Sequence, residues 1–243
     1  MDQARAGTQL PGVENEIGMR IRAALFDMDG TLAYTLEDIA GAMNRVLSRR
    51  GYPTLPVEAY GRLVSEGIPA LVTRALPPEN RDAGTVALCT KSFDQEYAGQ
   101  VGVRARAYPG IREMLDALAA RGVKRAVFSN SQDDLVRRLA LGLFPAGTFE
   151  VVRGAKDGIP PKPDPQGALA VAASLGVRPQ EFLYLGDSGV DMQTAIAASM
   201  FPVGALWGYR SREELLTAGA KALIDHPQGL LAWLEGVDLG PKG

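Results

Sequence analysis

From Ile21 onward, short apolar runs alternate with longer stretches whose apolar positions recur at helical spacing. This alternation predicts an α/β fold in which crossover helices join parallel strands. Strands are expected at residues 22–26, 124–128, 149–153, 182–185, 202–206 and 222–224. Several intervening helices carry start and stop signals. Ser131-Gln132-Asp133-Asp134 reads as a capping box ahead of Leu135, Leu139 and Leu143, and Asp164-Pro165 as an N-cap followed by proline at the first helical position. Ile111, Leu115, Leu118 and Ala119 make one apolar face, which Gly122 ends.

Residues 36–106 break the alternation. They contain helical patterns at 39–47, 70–76 and 86–97 and no convincing strand, so they read as a small helical insert in a core formed by residues 19–35 and 107–243. Lying between the first and second strands, the insert is expected to rise from the carboxyl end of the sheet, where open α/β folds bind ligands, and to cap the site. Residues 1–18 are polar and lack a clear period; they are expected to form a flexible tail, with Met19 a candidate natural start. The chain has no internal repeat and no low-complexity segment.

Composition narrows the function classes. Of the 243 residues, 46% are hydrophobic, enough for a buried core, and the net charge of −2 argues against broad binding to nucleic acid or anionic lipid. One cysteine, Cys89, cannot form an internal disulfide, and one histidine, His226, leaves no zinc-type cluster. No apolar run approaches the length needed to cross a bilayer, and residues 1–20 are too polar for a signal-peptide core. A cytoplasmic protein acting on a small molecule is expected, as a monomer or homodimer.

Four motifs carry chemistry, each directly after an expected strand or close to a helix start. In Phe26-Asp27-Met28-Asp29-Gly30-Thr31-Leu32, two carboxylates at alternate positions can face one substrate, and Gly30 lets the chain turn afterwards. In Val127-Phe128-Ser129-Asn130, a hydroxyl and the following backbone N–H can hold phosphoryl oxygens. Pro160-Pro161-Lys162-Pro163-Asp164-Pro165 restricts the backbone around one ammonium, which can neutralise a phosphoryl group and a nearby carboxylate. In Tyr184-Leu185-Gly186-Asp187-Ser188-Gly189-Val190-Asp191, Asp187 at a strand end can bind Mg²⁺, and Asp191 can orient Lys162 or a metal-bound water. Each motif taken alone is ordinary turn or helix-start material.

Together and in this order, the four resemble the signature motifs of the haloacid dehalogenase-like superfamily, over nearly the whole chain from Met19 to about Glu235. The resemblance implies a Rossmann-like parallel sheet with a small α-helical cap inserted after the first motif. It also implies a Mg²⁺-dependent phosphatase acting on a small phosphorylated metabolite. By that resemblance Asp27 is the nucleophile that forms an aspartyl phosphate, and Asp29 the general acid and then base. Asp27, Asp187 and the main-chain carbonyl of Asp29 bind the metal, while Lys162, Thr31, Ser129 and Asn130 hold the phosphoryl group; Asp191 and Gly30 support them.

Within the superfamily, the stretch 186–195, Leu206-Trp207-Gly208-Tyr209-Arg210 and the cap stretch 66–72 look most like the phosphoglycolate phosphatase group. Tyr34-Thr35 and Pro69 depart from that pattern. Substrate selection is assigned to the Gly67 loop and to Arg74 and Arg104, whose guanidinium groups suit a carboxylate. Lys91 in the cap reads as a solvated helix lysine, and Cys89 and His226 as structural. Three alternatives stay open: a β-phosphoglucomutase-like phosphosugar mutase, a pyrophosphatase or nucleotide phosphatase, and a non-catalytic binding protein with the same fold.

Overall fold

A strand buried on both faces needs apolar residues at every position, and Ala23-Ala24-Leu25-Phe26 supplies them. In the computed structural model, which describes residues 13–14, 20–64 and 66–236, this run is the central strand of a six-stranded parallel sheet. The sheet comprises β1 (Ala23–Phe26), β2 (Lys124–Gln132), β3 (Val151–Ala155), β4 (Phe182–Gly186), β5 (Phe201–Ala205) and β6 (Ala222–Ile224) in the spatial order β6-β5-β4-β1-β2-β3. Because side chains alternate along a strand, Ala24 and Phe26 join the core on one face while Ala23 and Leu25 join the core on the other. Each large apolar side chain so buried contributes about 1.5–3 kcal/mol.

Helices cover both faces. They are α5 (Ile111–Ala120), α6 (Asp133–Leu143), α7 (Gln166–Leu175), α8 (Gly189–Ala197), α9 (Arg212–Thr217) and α10 (Pro227–Leu234). In α5 the buried face is Ile111, Met114, Leu115 and Leu118, so Met114 takes the place expected for Ala119. The expected capping box at 131–134 does not form. Helix α6 starts from Gln132 with no side-chain cap, because the Ser131 hydroxyl donates to Asp29 instead, at 2.9 Å. At α7 the N-cap position falls on Pro165, one residue later than expected, and Asp164 accepts from Gln166 N at 2.8 Å.

Between β1 and β2 lie α1 (Leu36–Arg49), α2 (Val57–Tyr60), α3 (Ile68–Ala75) and α4 (Ala83–Ala98). They share an apolar cluster of their own, with Met43, Leu47, Tyr60, Cys89, Phe93 and Tyr97 at its centre. Leu135 of α6 joins that cluster from below. The chain enters and leaves this layer through a short antiparallel pair, Ala33–Tyr34 with Arg106–Ala107. Buried Asp38 ties the return, accepting from the backbone of Gly102, Arg104 and Ala105.

At the N-terminal side, Val13–Glu14 pairs antiparallel with Arg20–Ile21, and the rest of the expected tail lies outside the described residues. Among the described residues no helix is long and apolar enough to cross a membrane.

Candidate active site

Asp27 is the first residue past β1, and its N–H donates to Leu185 of β4 at 3.0 Å, so the neighbouring strand fixes its direction. The chain then turns through Gly30 at φ +89°, a conformation that costs glycine nothing. A Cβ at Gly30 would lie 2.3 Å from Asp187 Oδ2 and 2.8 Å from the Tyr209 ring. A Cβ at Gly208 would likewise lie 2.2 Å from Asp187 Cβ, and one at Gly186 2.3 Å from Asp191 Cβ. Glycine at these three positions lets the carboxylates crowd together at the carboxyl end of the sheet.

Lys162 reaches the cluster from the loop before α7. Its Nζ donates to Asp27 Oδ1 at 2.7 Å and to Asp191 Oδ1 at 2.7 Å, and the residue is only 5% exposed. Asn130 aims it: the Asn130 amide accepts from Lys162 N at 2.8 Å and donates to Lys162 O at 3.2 Å. Asp191 is also the capping-box residue of α8, accepting from Ser188 N and Oγ. Asp187 accepts from Thr31 Oγ1 at 3.2 Å and from Tyr209 N at 2.7 Å.

The electrostatics are short of positive charge. Asp27, Asp187 and Asp191 are all buried, and each offers an oxygen within 4.8 Å of the others, against one ammonium. Burial pushes Asp187 up to about 7, with Asp191 adding to it and the bonds from Tyr209 and Thr31 opposing it. Burial likewise holds Asp27 well above the usual carboxylate range; Lys162 opposes this, and Asp191 and Asp187 add to it. Burial works against the Lys162 ammonium, yet Asp191 and Asp27 outweigh it and raise its pKa. This buried Asp27, Asp187 and Asp191 cluster can coordinate a divalent cation, and an all-oxygen donor set suits a hard ion. Both oxygens of Asp187 and both of Asp191 already accept hydrogen bonds, while Lys162 takes Oδ1 of Asp27.

Asp29 stands apart from that cluster. Thr35 Oγ1 donates to its Oδ1 at 2.7 Å, and Ser131 and Ser129 donate to its Oδ2 at 2.9 and 3.3 Å. These hydroxyls come from the start of the helical layer and from the end of β2. The pairing of β2 with β3 shifts register between Phe128 and Gln132, which bends the strand end that carries Ser129 and Ser131.

A partly open cavity of about 30 Å³ lies between the two layers. Asp27, Asp29, Asn130, Ser131 and Lys162 form its floor, and Ile39, Val64, Gly67, Ile68 and Leu71 its apolar roof. An open groove of about 700 Å³ beside Gly189, Ser211 and Glu214 is larger but contains none of these groups. The structure thus brings together Asp27, Asp29, Ser129, Asn130, Lys162, Asp187 and Asp191, with Gly67 at the roof. Thr31 faces Asp187. Arg74 is exposed and paired with Glu66 at 2.5 Å, and Arg104 is exposed with its backbone on Asp38; neither lines the cavity. Ser131 and the Asn130 side chain are the residues that motif reading missed. The alternation Ser129-Asn130-Ser131 at a strand end is the signal that could have found Ser131.

Comparison with known proteins agrees with this geometry. A family model described as haloacid dehalogenase-like hydrolase matches residues 21–199. The phosphoglycolate phosphatase of Rhodospirillum rubrum is 36% identical over 220 residues, covering 88% of this chain and 90% of its own length. That of Xylella fastidiosa is 31% identical over 207 residues, covering 85% and 90%. Among solved structures, one from Lactobacillus delbrueckii subsp. bulgaricus, provisionally named a phosphoglycolate phosphatase, superposes with a TM-score of 0.85 at 31% identity, covering 90% of this chain and 100% of that one. CbbY of Rhodobacter sphaeroides, in complex with phosphate, has a TM-score of 0.73 at 25% identity, covering 88% and 99%. The chain belongs to the haloacid dehalogenase-like hydrolases, and within them to the phosphoglycolate-phosphatase-like group.

Proposed function

We propose that this haloacid dehalogenase-type phosphoric monoester hydrolase cleaves a small phosphate ester through an aspartyl phosphate on Asp27, with Mg²⁺ and with a phosphoglycolate-like substrate favoured. The observation that carries the reading is the Lys162 ammonium at 2.7 Å from Asp27, set between buried Asp27 and Asp191 and beside a separately held Asp29. In the first step an Asp27 oxygen bonds to phosphorus as the ester P–O bond breaks, and Asp29 gives its proton to the leaving oxygen. In the second, Asp29 takes a proton from the water that attacks the same phosphorus, releasing phosphate and restoring Asp27. Lys162 offsets the repulsion between the Asp27 carboxylate and the phosphoryl dianion. Ser129 Oγ and the Asn130 backbone N–H cradle the phosphoryl oxygens, while Thr31 supports Asp187.

Asp27, Asp187 and the main-chain carbonyl of Asp29 would hold Mg²⁺, which supplies charge neutralisation at the transferring phosphoryl group. Residues 36–106 act as a cap whose apolar wall excludes water from the intermediate. A small substrate is supported by the named activity of the Rhodospirillum and Xylella relatives. A wall of Ile39, Val64, Ile68 and Leu71 offers no set of donors for sugar hydroxyls, which counts against the mutase reading.

The test is phosphate release from a panel that includes 2-phosphoglycolate, glucose 1-phosphate, pyrophosphate and nucleoside monophosphates. We expect 2-phosphoglycolate to lead by at least about tenfold in kcat/KM, roughly 1.4 kcal/mol. Asp27→Asn should remain folded and lose turnover. Activity persisting in that variant, or none in the wild type, would overturn the assignment.

A further inference from the structure

The loop after β5, Trp207-Gly208-Tyr209-Arg210, links the Asp187 side of the candidate site to the helical layer. Trp207 Nε1 donates to the Thr31 carbonyl at 2.9 Å, and Tyr209 N donates to Asp187 Oδ2 at 2.7 Å. The Tyr209 hydroxyl accepts from Thr35 N at 3.1 Å, on the residue whose own hydroxyl holds Asp29. Arg210 then crosses to the helical layer. Its Nη1 donates to the Gly61 carbonyl at 2.6 Å, and its Nη2 to those of Val64 at 2.5 Å and Arg62 at 3.3 Å. The Arg210 side chain is 9% exposed, with Glu214 at 3.4 Å from Nε.

Those three carbonyls lie in the turn that follows α2, outside any helix or strand, where a backbone acceptor needs a donor from elsewhere. A planar guanidinium can serve several of them at once, which a lysine ammonium on a straight stem cannot match. The same turn runs directly into the cavity roof at Val64, Gly67 and Ile68. Tyr209 packs against the apolar cluster of the helical layer, so the grip is backed by buried surface.

We propose that Arg210 is a positioning residue for the reaction: by gripping the turn at 61–64 it sets the roof over Asp27 and Asp29 and couples that placement, through one loop, to Asp187. Arg210 touches neither nucleophile nor acid. Without it the roof spends less time in place, and the apparent affinity for a ligand that reaches the roof falls by that fraction. A ligand confined to the floor is unaffected.

The kinetic arm of the test rests on the phosphatase reading; a second arm does not. In the full chain with Mg²⁺, Arg210→Met should raise KM for the best phosphate ester about tenfold with kcat within about threefold, and Arg210→Lys should do so to a smaller degree. Inhibition by inorganic phosphate, which meets only the floor, should stay within about twofold. Limited proteolysis within 61–67 should be about tenfold faster in Arg210→Met. Unchanged KM and unchanged cleavage would overturn the proposal, as would a loss confined to kcat or an equal weakening of phosphate and ester. If circular dichroism shows the methionine variant unfolded, the lysine variant carries the same comparisons. A wild type with no turnover would remove the phosphatase reading and leave the cleavage arm to decide on Arg210.

Discussion

Lys162 shows how much one buried charge can organise. Its ammonium stands 2.7 Å from both Asp27 and Asp191, and its own backbone is clamped by Asn130. Replacing it by methionine keeps the stem volume and removes the charge, leaving two buried carboxylates uncompensated. Breaking a buried pair in this way costs about 3–5 kcal/mol, so Lys162→Met should unfold at a clearly lower urea concentration. Turnover should fall by at least about a hundredfold, because the phosphoryl charge loses a preorganised partner. A variant as stable and as active as the wild type would show that Asp27 needs no cation from the protein.

At the scale of elements, the join between α6 and β3 has a titratable bolt. Asp133, the first residue of α6, accepts from Gly154 N in β3 at 2.9 Å and pairs with Arg137 at 2.8 Å and Lys156 at 3.1 Å. Burial alone would raise its pKa, but Arg137, the Gly154 N–H and Lys156 together lower it to about 2. A carboxyl depressed in the folded state stabilises the fold above its unfolded value of about 3.9, and that contribution drains away as pH falls through about 2. Both cations are half exposed, so the screened contribution is about 1 kcal/mol at pH 7. Asp133→Asn should therefore lower stability by that amount in urea unfolding at pH 7, with the gap to wild type reduced to about half near pH 3. A gap that stays constant across this range would assign the effect to packing.

For the whole molecule, the site exists only where two layers and four strand ends meet, so its ligand should report on global stability. Mg²⁺ at about a hundred times its Kd should stabilise the fold by about 2.7 kcal/mol, a rise of roughly 5–10 °C in Tm for a chain of this size. A chelator should abolish both that rise and phosphate release, and Asp187→Asn should flatten the response. A Tm indifferent to Mg²⁺ in the wild type would argue that the buried Asp27, Asp187 and Asp191 cluster is held by protein groups alone.

Much of this architecture could be read without coordinates because parallel strands buried on both faces are near-continuous apolar runs, as in β1 and β4. The strand ends were harder: β2 runs on to Gln132 through polar Ser129, Asn130 and Ser131, where pairing continues after hydrophobicity stops. Local order along the chain thus determined the layers, the position of Asp27 and Asp187 at strand ends and the candidate chemistry of Lys162. Tertiary structure alone decided that Ser131 serves Asp29 rather than a helix cap, that Arg74 stays outside the cavity, and that Arg210 reaches the helical layer. The reason is physical. A strand's apolar pattern is set by its immediate neighbours, whereas the partner of a polar side chain is chosen by whichever donor or acceptor the folded chain carries within about 3 Å, here from residues more than a hundred positions away.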